Sequence, residues 1–136
     1  MSVIVIEEQN GAVSQYLAEW RKKGETVTDR GQARKRFDFS GIDAIVVNYD
    51  DMFHHGFVVL FALLDGVGCE RPPIIGLTTS LDRELERKGK QFGVDYWIDE
   101  ILRLDELVSN GKCPGAIETQ VYRSSCRQSL LQTKVA

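Results

Sequence analysis

Ala44-Ile45-Val46-Val47-Asn48 is the stretch on which the fold turns. Its apolar residues stand in a row without alternation, three of them β-branched, and stop at a polar side chain. A run of that length and composition suits a strand covered on both faces. Similar runs lie on either side. Val3-Ile4-Val5-Ile6 is entirely β-branched and ends at Glu7-Glu8, while Thr26-Val27-Thr28 is a weaker strand. Ile74-Ile75-Gly76-Leu77-Thr78 follows Pro72-Pro73, which are tolerated where a strand begins. Asp95-Tyr96-Trp97-Ile98 is the last of the series.

Helical patterns separate these runs. Val13, Tyr16, Leu17 and Trp20 recur at i, i+3, i+4 and i+7 behind a candidate cap, Asn10, and Gly24 supplies a stop. A short basic helix is expected over Gln32 to Phe39. Phe57 to Leu64 reads as a helix because Gly56 precedes it and Asp65-Gly66 ends it. On that one Phe57, Leu60, Phe61 and Leu64 share the period and should face the sheet, leaving Val58, Val59 and Leu63 outward as an apolar partner surface. Leu81 to Phe92 is a charged helix capped by Ser80 or Thr79, weakened at Gly89 by about 1 kcal/mol relative to alanine. Ile101, Leu104, Leu107 and Val108 mark a fifth helix. Strand and helix thus alternate five times, which predicts a doubly wound α/β fold with a parallel sheet and helices on both faces.

Composition narrows the function. The chain has 136 residues, 43% of them hydrophobic, and a net charge of −3, so no chain-wide basic field exists to hold nucleic acid. The longest apolar run, Phe57 to Leu64, falls well short of the roughly 18 residues of a membrane span. No basic region precedes the first apolar run, so a secretory signal is not expected. Cys69, Cys113 and Cys126 form no CxxC pair, which suits a reducing cytoplasm and argues against a zinc site. His54-His55 has no third ligand at metal-site spacing. Between Arg21 and Arg36 the basic residues outnumber Glu25 and Asp29, a pattern of a solvated face or one that meets an acidic partner. Asn110-Gly-Lys-Cys-Pro-Gly115 breaks the periodicity. It divides a domain of residues 1–112 from a hinge and tail, 113–136, that reads as a linker or marginal helix.

In a doubly wound sheet, ligands gather outside the carboxyl ends of the strands. Those ends carry Glu7, Glu8, Asn48, Thr78 and Asp99-Glu100. From about Val3 to Val108 the order of these motifs resembles the receiver domains of two-component response regulators. Val3 to Glu8 stands where receivers have their first strand and acidic pair. Asp43 to Asn48 is similar to the third strand, whose last residue in that family is the phospho-accepting aspartate. Gly56 falls where receivers carry a glycine, and Pro73 to Thr79 is similar to the fourth strand with its hydroxyl residue. In Gly93 to Glu100, Trp97 takes the switch-aromatic position and Glu100 that of the family's lysine. The resemblance implies a flavodoxin-like (CheY-like) sheet of five parallel strands in the order 2-1-3-4-5.

The departures bear on function. An acyl phosphate needs a carboxylate nucleophile, and the phosphoryl oxygens need a cation and a basic partner. Asn48 is no nucleophile, and Glu100 would repel the phosphoryl group. Ile101 stands where the family has a proline, so a trans bond is expected there. Glu7, Glu8, Asn48, Thr78 and Glu100 therefore form a degenerate phosphorylation pocket, and the chain reads as a pseudo-receiver. It would act without phosphate or catalysis, through contacts with a protein partner, an output domain or a second copy in a homodimer. No resident cofactor is expected, and any Mg²⁺ or Ca²⁺ site would be weak and centred on Glu8 with Glu7 or Asp50. The rivals are a phosphorylatable regulator that uses Asp50 or Asp51 as acceptor, and a small-ligand sensor of the same fold. Glu7, Glu8, Asp50, Asp51 and Glu100 would crowd one crevice. Two such charges about 5 Å apart repel by about 3 kcal/mol at an effective dielectric of 20, so either a cation, a raised pKa or a basic side chain offsets them or the longer glutamates splay into water.

Overall fold

The computed structural model describes residues 2–20, 22–35, 38–65, 71–110 and 117–118. Its elements are β1 (Ser2–Ile6), α1 (Ala12–Glu19), β2 (Lys23–Val27), α2 (Arg30–Arg34), β3 (Ala44–Asn48), α3 (Tyr49–Met52), α4 (His54–Leu64), β4 (Ile74–Leu77), α5 (Arg83–Phe92) and β5 (Tyr96–Ile98). A 3₁₀ turn (Ile101–Arg103), α6 (Leu104–Asn110) and β6 (Ile117–Glu118) complete them. The sheet order is β2-β1-β3-β4-β5-β6, and the first five strands are parallel, as expected. β6 is an addition: two residues of the tail pair antiparallel with Tyr96 and Trp97 of β5. The rest of the hinge and tail, with Cys69, Cys113 and Cys126, lies outside the described residues.

Strand alternation divides the buried side chains into two cores. Val3, Val5, Ala44, Val46, Ile75 and Ile98 face α1 and α6, where Val13, Leu17, Leu104 and Leu107 meet them. Ile4, Ile6, Ile45, Val47, Ile74 and Trp97 face the opposite layer, which is formed by α2, α4 and α5. Every residue of β3 is buried, which is why its sequence shows no polar alternation.

Several local boundaries differ from expectation. Gly24 is no stop signal but a residue of β2, where an added Cβ would come within 2.7 Å of the Leu17 side chain. The basic helix spans only Arg30–Arg34, capped by Asp29, whose carboxylate accepts from the Gln32 amide at 2.8 Å. Trp20 ends α1 and is exposed. Neither Ser80 nor Thr79 caps α5. Asp82 does so, accepting from the Leu85 amide at 2.8 Å, and Gly93 closes the helix in the left-handed conformation at φ 98°.

The main correction concerns α4. It begins at His54, so Gly56 is inside the helix, close enough to Val47 that a Cβ would sit 3.1 Å from that side chain. Gly56, Val59, Leu60 and Leu63 form the buried stripe together with Phe57, while Phe61 is 66% exposed. Val59 and Leu63 are therefore core residues and not a partner surface; only Val58 of that trio is exposed. The helix is apolar nearly all round, so two overlapping i, i+3, i+4, i+7 sets satisfy the same period. Contact with α2 on one flank and α5 on the other selects between them. Leu63→Ala should cost about 2–5 kcal/mol in urea unfolding. Phe61→Ala should stay within about 0.5 kcal/mol.

Candidate functional site

Glu7 follows β1 directly and is completely buried. A buried carboxylate without partners is costly, and this one has three. Oε1 accepts from the Val13 amide at 3.2 Å and from Asn48 Nδ2 at 2.9 Å, and Oε2 accepts from the Ser14 amide at 2.7 Å. Glu7 thus does for α1 what Asn10 was expected to do. The N-cap residue is Gly11, which has no side chain to offer. A Cβ there would lie 2.4 Å from the Glu7 carboxyl carbon, so the glycine leaves the space the carboxylate occupies. An anion at a helix N-terminus is stabilised by about 0.3–1 kcal/mol or more when partly buried.

Asn48 ends β3 and is 7% exposed. The orientation of its amide follows from Glu7: turned over, it would place an acceptor oxygen against the carboxylate. Beyond it, Asp50 and Asp51 belong to the first turn of α3. Asp51 Oδ2 accepts from the Glu8 amide at 2.6 Å, tying the loop after β1 to α3. Asp50 Oδ1 accepts from Thr78 Oγ1 at 2.5 Å, and its Oδ2 accepts from both the amide and the hydroxyl of Thr79 at 2.9 Å. Burial pushes the Asp50 pKa up, but the hydrogen bonds from Thr78 and Thr79 outweigh it and hold the carboxyl below its ordinary value. The charges in this crevice are therefore offset by amides and hydroxyls. Glu8 and Glu100 take the other course the sequence allows and stand exposed in water.

Glu100 is exposed, and its Oε1 is 3.9 Å from Arg103 Nε, which pairs with Asp99 Oδ1 at 2.8 Å. The Glu100–Ile101 peptide is trans, as all described peptide bonds are. Glu8 is exposed. Trp97 is 1% exposed and packs its indole over Gly76 of β4 and Gly89 of α5, where added Cβ atoms would stand 2.4 and 2.5 Å from the ring. Tyr49 and Phe57 meet it edge-on, each with ring centroids 6.5 Å away. The weak position read at Gly89 is thus a requirement of the tryptophan, which is buried among core residues.

The resemblance to receivers implies a divalent ion at this end of the sheet. The residues present do not fit one. Both Glu7 oxygens and both Asp50 oxygens already accept hydrogen bonds from the protein. Asn48 turns a donor, not a lone pair, toward the pocket's buried carboxylate. Among the described residues no three His, Cys, Asp or Glu side chains converge as a metal set. Beside the pocket lies a cleft of about 250 Å³ lined by Tyr49, His54, Ser80, Asp82, Glu84, Leu85 and Lys88. Burial there raises the Tyr49 pKa, and the charges of Asp82, Asp50 and Glu84 raise it further. The cleft, Gly11 and Asp82 went unread in the sequence, and Thr79 was read as a helix cap and not as a partner of Asp50. Only Asp82 carried a signal, since an aspartate three residues before Leu85 is an ordinary cap.

No protein-family model matches the chain, and no curated protein matches it either. Solved structures do. The chemotaxis protein CheY4 of Vibrio cholerae aligns with a TM-score of 0.63 at 18% identity, covering 79% of this chain and 95% of that one. The response regulator DrrB of Thermotoga maritima, an OmpR/PhoB homolog, aligns at 0.58 with 16% identity over 82% of this chain and 54% of that one. A CheY-like receiver domain protein of Methanospirillum hungatei aligns at 0.57 with 15% identity over 82% and 93%. The chain has the fold of a CheY-like response-regulator receiver domain. Among its described residues no helix is long and apolar enough to cross a membrane.

The Asp50 network predicts a pH dependence. A carboxyl whose folded pKa is depressed stabilises the fold above its unfolded value, near pH 4, and loses that contribution as pH falls through the lower folded value. The stability difference between the wild-type chain and Asp50→Asn, followed by urea unfolding, should be constant above about pH 5 and shrink as the pH falls below the unfolded value.

Proposed function

We propose that this chain is a signalling module of the receiver fold that works without phosphorylation, through contacts with protein partners. The observation that carries the reading is residue 48. At the end of β3 stands an asparagine whose amide is engaged with a buried glutamate. An amide nitrogen in that state is no nucleophile, and no acyl phosphate can form on it. Glu100, exposed and facing Arg103 of its own turn, brings no positive charge to a phosphoryl group. With neither nucleophile nor clamp, the module is regulatory and not an enzyme.

The rival that uses Asp50 or Asp51 as acceptor is weaker. Both oxygens of Asp50 are held by Thr78 and Thr79, and Asp51 holds the Glu8 amide, so attack by either would first break the ties that order α3. The partner is a protein or an output domain, such as a transcription regulator carries, or a second copy. The setting proposed is the reducing cytoplasm, where unpaired cysteines persist. Trp97 has no role as a moving switch in this reading, because the ring fills the space left by two glycines.

Incubation with acetyl phosphate and Mg²⁺ should leave the intact mass of the full chain unchanged. A phosphoryl adduct that disappears in Asp50→Asn or Asp51→Asn would transfer the reading to the rival.

A further inference from the structure

We infer that the Asn48 side-chain amide does in this pocket the work of a bound cation, stabilising the buried Glu7 carboxylate by hydrogen bonding so that the fold needs no metal. The inference deepens the function proposed above and rests on the same reading of residue 48.

The geometry leads there in steps. Glu7 is fully buried, so water does not compensate its charge. Two of its three hydrogen bonds come from the N-terminus of α1, whose amides have no partner within the helix. The third comes from Asn48 Nδ2. Across the mouth of the crevice, Thr78 and Thr79 do for Asp50 what α1 and Asn48 do for Glu7. A cation entering between Glu7 and Asn48 would find both carboxylate oxygens occupied and an N–H in its way. It would have to break existing bonds before making its own.

An aspartate at position 48 reverses this. It would bring a second carboxylate oxygen to the place where Asn48 Nδ2 now stands, 2.9 Å from Glu7 Oε1. Two buried carboxyls at that distance stay ionised together only with a cation between them; without one, a proton must remain on one of them. Asn48→Asp should therefore create a dependence on divalent ions that the present chain lacks. Exchanging the two groups, in Glu7→Gln/Asn48→Asp, keeps one charge and one amide and should remove that dependence.

Thermal unfolding of the full chain in EDTA, in millimolar Mg²⁺ and in millimolar Ca²⁺ tests the idea, with the two variants beside the wild type. The wild-type Tm should be the same in all three. Asn48→Asp should melt lower in EDTA by more than about 5 °C and recover in Mg²⁺ or Ca²⁺. The exchanged double variant should melt above Asn48→Asp in EDTA and ignore the ions. A wild-type Tm that rises with Mg²⁺, or an Asn48→Asp chain as stable in EDTA as the wild type, overturns the inference. If Asn48→Asp does not fold even with ions, the double variant decides: folded, it supports the like-charge origin, and unfolded, it overturns it. Phosphorylation of the wild-type chain would overturn the proposed function and leave these melts to decide the role of Asn48.

Discussion

Glu7 is a negative charge with no access to water, and the end of the sheet that carries the pocket is arranged around that constraint. Its oxygens reach the first free amides of α1, so the helix starts where the carboxylate can serve it. Gly11 leaves the necessary room, and Asn48 is oriented by the charge it faces. β1 and β3 are neighbours in register, with Ile6 opposite Val47, so the residues that follow each strand come together directly. One buried anion thereby links two strands and a helix. Its stabilising contribution is tied to specificity, because an unsatisfied buried charge costs far more than a satisfied one contributes.

The same logic recurs on a smaller scale across the crevice. Asp50 takes the hydroxyl of Thr78 and both donors of Thr79, and Asp51 takes the Glu8 amide. Each carboxylate is spoken for by a neighbour in the chain's own loops. The pocket resembles an ion-binding crevice in its acid count, and Glu7, Asp50 and Asp51 each accept from amides or hydroxyls there. Short-range hydrogen bonds to N–H and O–H groups can hold several carboxylates ionised at one sheet end without a cation, provided each has its own donors.

Below the pocket, Trp97 couples β4, β5 and α5. Its indole lies against Gly76 and Gly89, and neither position has space for a Cβ. Such a contact is set by volume, and dense packing leaves the ring one place to be. The ring occupies the space that the two glycines leave. On the outer side, Val58 and Phe61 of α4 and Phe53 before it are exposed, while Val59 and Leu63 are not.

Beyond the strand order, which the resemblance implied, the sequence by itself determined the alternation of strands and helices, a parallel sheet and a side chain at residue 48 that is no nucleophile. These follow from uninterrupted β-branched runs, from helical periods between them and from the chemistry of one side chain, all of which are local. It also placed Glu7, Glu8, Asn48, Thr78 and Glu100 at one end of the sheet, because strand ends are visible as the points where apolar runs stop. Tertiary structure alone decided which partners those residues take. The bond from Asn48 to Glu7 spans 41 positions and that from Thr78 to Asp50 spans 28, distances at which no sequence period carries information. It decided the buried face of α4 too, since a helix apolar all round has no preferred side until its neighbours are present. And it decided that Gly89 is needed, because the ring that requires it arrives from another strand.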